Sequence, residues 1–474
     1  MQAIGLLVQV GRAGPVSYQV GGWPPPFGVE LAVGPAAALL AVVIAGVAAL
    51  VALFAGENLE HEVAPAGHGW YNAAFLLALA GMLGLVVAND LFNIFVMTEI
   101  TTLGAVGLVV ARGSWGAAEA GLRYLLLASL GATLSLFGLG LGYMITGHLN
   151  LAYFTAALPA ASSEYPLLAA TSLGLLGLGF ALKAAAFPLH VWLPEAHANA
   201  PGAASALLSG LVVKVYAFTL IRLVFVVFAP LLAGGPPVRA ALAWAGAAAI
   251  LGGSIFALVQ VDLKRILAYS TVAQLGYVFL GAGLANPAGL IAAFYQIVSH
   301  ALTKACLFLC AAIIIERTGR RQITELGGLG QALPLTAAAF TVCALSMIGL
   351  PLLSGFVVKW YLVQAGLAAG LPALALLVVA SGLLNAAYYL PIVWRFYFGP
   401  ARLRPPARRT APDPAAWPQP GPWRRLLARL EAPWQLLLPV LAMAAGGIVL
   451  GVWTGPLLGY LGGVAGGLLN GVGP

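Results

Sequence analysis

Charged side chains make up only 8% of the 474 residues, too few to clothe the surface of a soluble protein of this size. Cysteine is scarcer still. Cys306, Cys310 and Cys343 each fall within an apolar run, where a small buried hydrophobe is the ordinary reading, so neither a disulfide framework nor a metal site is expected. The sequence also lacks a phosphate loop, a dinucleotide fingerprint and a haem-type histidine pair, so no cofactor is expected. At the amino terminus, MQAIGLLVQVGRAG has a short apolar core, but its first basic residue, Arg12, follows that core. It does not read as a signal peptide.

What the chain has in abundance is apolar length, with 61% of its residues hydrophobic. Stretches long enough to cross a hydrocarbon core run over residues 30–55, 70–88, 91–111, 121–146, 166–187, 203–230, 238–260, 265–284, 289–315, 334–367, 370–398 and 434–460, by the usual span length of about 20 residues. The expectation is an all-α polytopic membrane protein with about twelve transmembrane helices, a multi-pass protein of the cell membrane. Short, turn-rich connectors exclude the alternating strands of a β-barrel.

The net charge of +8 raises the question of nucleic acid, and its distribution answers it. Arg112, Lys264, Arg265, Arg317, Arg320, Arg321 and seven arginines between 400 and 433 fall on one side of the alternating connectors, against Arg12 and Arg239 on the other. The first side is therefore expected to be cytoplasmic, with both termini outward. The basic excess reports topology, and no nucleic-acid partner is expected.

The remaining basic residues are Arg123, Lys183, Lys214, Arg222, Lys304, Lys359 and Arg395, all within predicted spans. Four of the five lysines are thus intramembrane, whereas the chain is otherwise rich in arginine. Arginine keeps its proton in a protein, while a desolvated lysine can exchange one near neutral pH. Lys214 stands roughly 16 Å from either surface of its span at ~1.5 Å per residue, beyond the reach of a snorkelling stem. Lys304 is similarly central, with His300 one turn earlier on the same helical face. Inserting such a cation costs on the order of 3 kcal/mol, so a partner or a function should accompany it. The candidate partner is Glu99, in NDLFNIFVMTEITTLGAVGLVV, the one carboxylate well inside a predicted span.

Two spans are interrupted beside a lysine. Pro188 follows Lys183 in GFALKAAAFPLHVWLPEAHANAP, and Pro351, Ser354 and Gly355 precede Lys359 in SMIGLPLLSGFVVKWYLVQ. One such interruption in each half of the chain is the pattern of inverted repeats whose discontinuous helices turn backbone dipoles toward an ion at mid-membrane.

These stretches, together with SHALTKACLFLC, GLPLLSGFVVKWYL and GGWPPPFGVEL, resemble the antiporter-like proton-translocating subunits of respiratory complex I, of Mrp-type cation/proton antiporters and of membrane-bound hydrogenases. The resemblance covers roughly residues 20–400, and the look is nearest to the D-type subunit of Mrp antiporters. It implies two inverted five-helix repeats, expected here at 70–230 and 238–398, and proton half-channels joined by a polar axis at mid-membrane. It also implies roles for particular residues: Glu99 as the partner of the broken-helix Lys183, Lys214 as the next lysine, His300 and Lys304 in the connecting region, and Lys359 at the exit side. His190 is a candidate relay. Asp262 and Lys264 match a motif expected to be structural. The implied partners are other membrane subunits of a hetero-oligomeric complex, the lipid bilayer, and protons with sodium as a candidate second ion.

The domain expectation is an outward segment over 1–29, a transporter core over 30–399, a cytoplasmic Pro- and Arg-rich linker over 400–433, and a last helix with an outward carboxyl terminus over 434–474. The family's first two helices should precede GGWPPPFG and are expected to be missing, since only about twenty residues do so. The absence of a long lateral helix after the last span argues against the complex I subunit that carries one. Two other functions compete with proton translocation. A membrane hydrolase using His190, Glu195 and His197 fails on spacing, because H-x4-E-x-H lacks the i, i+4 histidine pair of a helical zinc site. A structural scaffold subunit with degenerate transport residues is the alternative reading. No catalytic centre is expected within the chain itself.

Overall fold

The computed structural model describes residues 1–232, 238–400 and 431–470. A short helix, α1 (Gln2–Ala13), leads into a two-stranded antiparallel ribbon of β1 (Val16–Gln19) and β2 (Glu30–Val33), paired from Val16 with Val33 to Gln19 with Glu30. The chain then enters α2 (Pro35–Glu62), α3 (His68–Val87), α4 (Leu91–Val110), α5 (Trp115–Thr146), α6 (Leu151–Glu164) and α7 (Pro166–Lys183). After a break come α8 (Trp192–Asn199) and α9 (Gly202–Val227). The second half holds α10 (Val238–Leu258), α11 (Leu263–Gly283), α12 (Pro287–Thr318), α13 (Pro334–Ile348), α14 (Ser354–Ala368) and α15 (Pro372–Phe398). Finally, α16 (Trp434–Val452) and α17 (Gly455–Leu469) pack against the bundle.

Helices are the form these sequences must take, because lipid offers backbone amides and carbonyls no partner outside the chain. Their first turns are closed by side chains that the connectors supply. Asp90 accepts from the amides of Phe92 and Asn93, Asn150 from Ala152, Asp262 from Arg265, and Asn286 from Gly289.

Eleven helices among the described residues are long and apolar enough to cross a membrane. Two of the twelve expected spans are divided, and the first of them accounts for the difference in number. Residues 334–367 are two helices, α13 and α14, because the chain turns at Gly349 (φ +95°) and Leu352 (φ +69°). Residues 434–460 are likewise split: α16 ends at Val452 and Pro456 starts α17 in its first turn. The carboxyl-terminal segment is therefore a further apolar helix. At the other end, the first predicted span starts at Pro35, with Glu30 in a strand, and residues 2–13 of the expected outward segment are helical. Most of the expected linker, 401–430, lies outside the described residues.

Three helices, α9, α11 and α12, are almost wholly buried, whereas every other long span leaves a wide face uncovered. They form an inner core with the rest arranged around them. Close approach to this core depends on glycine: a Cβ on Gly246 of α10 would lie 2.4 Å from the amide nitrogen of Leu280 on α11. Small residues of this kind let helix backbones meet where no hydrophobic effect drives association.

Candidate functional site

Lys183 lies in the last turn of α7, whose free carbonyl groups carry partial negative charge. It is 1% exposed. Its Nζ donates to Glu99 Oε1 at 2.8 Å and to Thr102 Oγ1 at 3.0 Å. Glu99 and Thr102 stand three residues apart on α4, so both present to the same side. Thr102 Oγ1 in turn meets the Tyr216 hydroxyl of α9 at 3.0 Å. Trp192 packs at the end of α7, where its Nε1 donates to Leu182 O at 3.1 Å while its indole stacks on Tyr124 at 4.0 Å. The same carbonyl also accepts from the Ala185 amide at 3.1 Å. Removing Glu99, whose own side chain is 30% exposed, would strand the buried Lys183 charge in an apolar interior, at a cost on the order of 3 kcal/mol.

Lys214 follows on α9. A π-helical turn over Leu208–Val212 widens this helix just before it, and Lys214 Nζ donates to the carbonyl of Ser209 within that turn. Such turns insert one extra residue and recur where a helix serves a site. Ser209 Oγ meets Thr271 Oγ1 of α11 at 2.7 Å. His300, on α12, is fully buried, and both of its ring nitrogens lack a hydrogen-bond partner among the described residues. It lies within electrostatic range of Lys214 and Lys304 together. Lys304 Nζ donates to Ser270 Oγ at 2.6 Å and to the Tyr389 hydroxyl at 3.2 Å.

Lys359 sits on α14, past the second break, and reaches back across it. Its Nζ donates to Ile348 O at 2.6 Å and stands 5.5 Å from the centre of the Tyr277 ring, within cation–π range. The break itself is tied by Ser346 Oγ, which meets Ser354 Oγ at 3.1 Å and accepts from the Gly355 amide at 3.1 Å. Both lysines next to the interruptions therefore rest at the carbonyl end of the helix before the gap.

Of the seven residues singled out in the sequence, Glu99 pairs with Lys183; Lys214, His300 and Lys304 lie within electrostatic range of one another; and Lys359 bonds across the second break, which gives a series of buried and half-buried polar groups. His190 is not brought into it. That imidazole is enclosed by aromatic rings, with centroids 5.2 Å from Phe187, 6.0 Å from Phe256 and 6.1 Å from Tyr269. His190, Glu195 and His197 occupy three separate environments: Glu195 pairs with Arg265 at 3.1 Å, and His197 stacks on Phe308 at 4.5 Å. Asp262 caps α11 and pairs with Arg321 at 3.0 Å, while Lys264 donates to Ala200 O at 2.8 Å, as expected of a structural motif.

The sequence reading missed the hydroxyl and amide partners: Thr102, Tyr216, Ser270, Tyr277, Asn385, Tyr388 and Tyr389. A signal existed for the last group. In SGLLNAAYYL, Ser381, Asn385 and Tyr388 recur at intervals of four and three residues, a polar stripe along one face of α15.

A second polar knot surrounds Glu30. Glu30 Oε2 accepts from Asn89 Nδ2 and Asn150 Nδ2, each at 2.8 Å, and its Oε1 accepts from Ser17 Oγ at 2.5 Å. Burial pushes this carboxyl upward, but the bonds from Ser17, Asn150 and Asn89 outweigh it and hold the group below its ordinary value of 4.5. Arg222, buried on α9, donates to Ala88 O at 2.6 Å and to Asn89 Oδ1 at 2.9 Å. The knot pins the ribbon to the α3–α4 turn and to the start of α6.

A multi-pass helical membrane protein with cations lodged along its interior is the class that this architecture and this series define. The chain belongs to the NADH:quinone oxidoreductase/Mrp antiporter transmembrane family, which it matches over residues 88–384. It is 40% identical over 456 residues to the N-type subunit of NADH-quinone oxidoreductase from Desulforudis audaxviator (strain MP104C), covering 95% of this chain and 87% of that protein. It is 30% identical over 413 residues to the D-type subunit of the Na(+)/H(+) antiporter from Bacillus subtilis (strain 168), covering 86% and 81%. Among solved structures, a chain of the Mrp complex from Dietzia sp. DQ12-45-1b superposes with a TM-score of 0.85 at 28% identity, over 99% of this chain and 90% of that one. The protein is thus an antiporter-like membrane subunit of the Mrp or complex I type.

Proposed function

We propose that the chain moves protons along the series from Glu99 and Lys183 through Lys214, His300 and Lys304 to Lys359, as one subunit of a multi-subunit cation/proton antiporter or redox-driven pump. The observation that carries this reading is the series of buried amines, each with a polar partner. Each lysine is desolvated, and each is bonded to a group that either shares its proton (a hydroxyl) or stabilises its charge (a carboxylate or a carbonyl). A carboxylate beside a buried lysine raises its proton affinity, and separating the two lowers it. The Glu99–Lys183 pair then acts as a loading switch.

In this reading residues 70–230 and 238–398 are inverted repeats, each with one broken helix, and both chain termini face outward. The driving chemistry belongs to partner subunits. The relatives named as subunits of antiporters and of a quinone oxidoreductase support an assembled partner of that kind.

The test is proton movement into vesicles carrying the assembled complex. Lys183→Ala and Glu99→Ala should each abolish it, and transport at the wild-type rate in either variant would remove that residue from the mechanism.

A further inference from the structure

The polar series is not uniform between Lys304 and Lys359. On the Lys304 side stand Ser270 and Tyr389, whose hydroxyls meet at 2.7 Å. Tyr388 is adjacent, with its ring centroid 4.7 Å from that of Tyr389 and its hydroxyl close enough to interact with Ser270. On the Lys359 side, the Tyr277 hydroxyl donates to Ser381 Oγ at 2.6 Å beneath the ammonium.

One side chain joins the two groups. Asn385 Oδ1 accepts from the Tyr388 hydroxyl at 2.7 Å, and its Nδ2 donates to the Tyr277 hydroxyl at 3.3 Å and to Met347 O at 2.9 Å. Asn385 is fully buried on α15. A Cβ on Gly382, nearly one turn earlier, would lie 3.6 Å from Lys359 Nζ, so the ammonium faces this same stretch of helix.

The chemistry of the joint differs from that of its neighbours. A hydroxyl both donates and accepts, so it can take a proton on its oxygen and release another. A carboxamide accepts only at oxygen and donates only from nitrogen. Passing a proton through it would require the costly imidic acid form. The bonds from Tyr388 through Asn385 to Tyr277 are therefore continuous for hydrogen bonding and closed to proton hopping. The amide is also anchored to the carbonyl of Met347, next to the Ile348 carbonyl that holds Lys359, so its position is tied to the second helix break.

We propose that Asn385 is a gate between the two proton-exchanging clusters, an inference that rests on the proton-translocating reading above. While its amide stays on Met347 O, Lys304 and Lys359 are insulated from each other. When the break around Gly349 shifts and the amide leaves, the hydroxyls of Tyr388 and Tyr277 close up directly or through a water. Once Lys359 has released its own proton to the exit side, the Lys304 ammonium loses one proton, each hydroxyl gains one and gives one up, and the Lys359 amine takes the proton, with no other bond made or broken.

The experiment uses the native complex in sealed vesicles and measures two quantities, driven proton uptake and passive proton leak without a driving substrate. Asn385→Ser supplies a hydroxyl and room for a water, so leak should rise about tenfold, a change of the size that follows from one modest barrier being removed, while driven uptake falls. Asn385→Leu keeps the bulk without polarity, so both fluxes should fall. A packing role would move the leak of both variants in the same direction, so the opposite signs are the signature. Asn385→Thr gives the same readout as Asn385→Ser if the serine variant does not assemble. A leak at the wild-type level in an assembled serine or threonine variant, or full driven uptake in Asn385→Leu, overturns the gate. If instead the wild-type complex moves no protons, or Lys183→Ala transports normally, it is the proton-translocating reading that fails. Lost transport in Lys183→Ala beside indifferent Asn385 variants sinks the gate alone.

Discussion

Lys359 bonds to the carbonyl of Ile348, eleven residues back along the chain, at 2.6 Å. Lys183, at the other interruption, meets the carboxylate of Glu99 at 2.8 Å. The two helix breaks thus give their lysines different counter-charges: a full anion in one half, and a backbone dipole with an aromatic face in the other. On the proton-translocating reading proposed above, Lys359 is the residue from which the proton departs.

Replacing Lys359 by arginine tests whether departure matters. Arginine can keep the positive charge near Ile348 O but does not give up its proton. Lys359→Arg should therefore assemble normally and lose driven proton uptake by about tenfold or more, equivalent to at least ~1.4 kcal/mol on the barrier. Uptake at the wild-type rate in vesicles would mean that Lys359 serves only as a fixed charge.

The Glu30 knot makes a prediction about acid. Its carboxyl is held below the ordinary value of 4.5 in the folded protein, so folding favours the ionised form. The contribution is fully present above about pH 4.5 and is lost as the pH falls through the lowered value. Thermal unfolding of the solubilised complex should therefore lose stability below that point, and Glu30→Gln should flatten this part of the profile. An acid limb unchanged in Glu30→Gln would assign the loss to other groups.

Contact between α10 and α11 predicts a steric effect unrelated to transport. Gly246→Leu would drive a side chain into backbone atoms of α11 that lie 2.4 Å from the nearest Cβ position, and neither helix can yield without parting from the core. Overpacking of this kind costs typically 1–3 kcal/mol. A lower unfolding midpoint, with less assembled complex recovered from membranes, is the expected result; an unchanged midpoint would show that the two helices separate freely.

The lysines were legible because an apolar sequence makes any cation conspicuous, and their burial together follows from the same cost that made them stand out. Their partners were not. Serine, threonine and tyrosine are ordinary in membrane helices, and many of them bond the carbonyl four residues back, as Thr98 does with Ile94 and Thr303 with Ser299. Only the tertiary arrangement separates these from Thr102 or Ser270. The break after Ile348 was visible in its proline and glycine, but the merging of 334–367 into one span hid that each half is a helix of its own. Hydropathy also merged α16 with α17, since the Trp453–Thr454 corner is scarcely less apolar than its flanks. The surroundings of His190 were not legible either, because two of the three rings around it, those of Phe256 and Tyr269, come from distant parts of the chain.

The π-helical turn over Leu208–Val212 sets a constraint on length as well as on composition. One residue contributes about 100° of rotation to an α-helix. A single deletion inside that turn would restore regular winding and keep Lys214 and Tyr216 on their present faces, because the wide turn already absorbs one extra residue. The same deletion a little later, in the regular turns of Val213–Arg222, would rotate every side chain beyond it by about a quarter-turn.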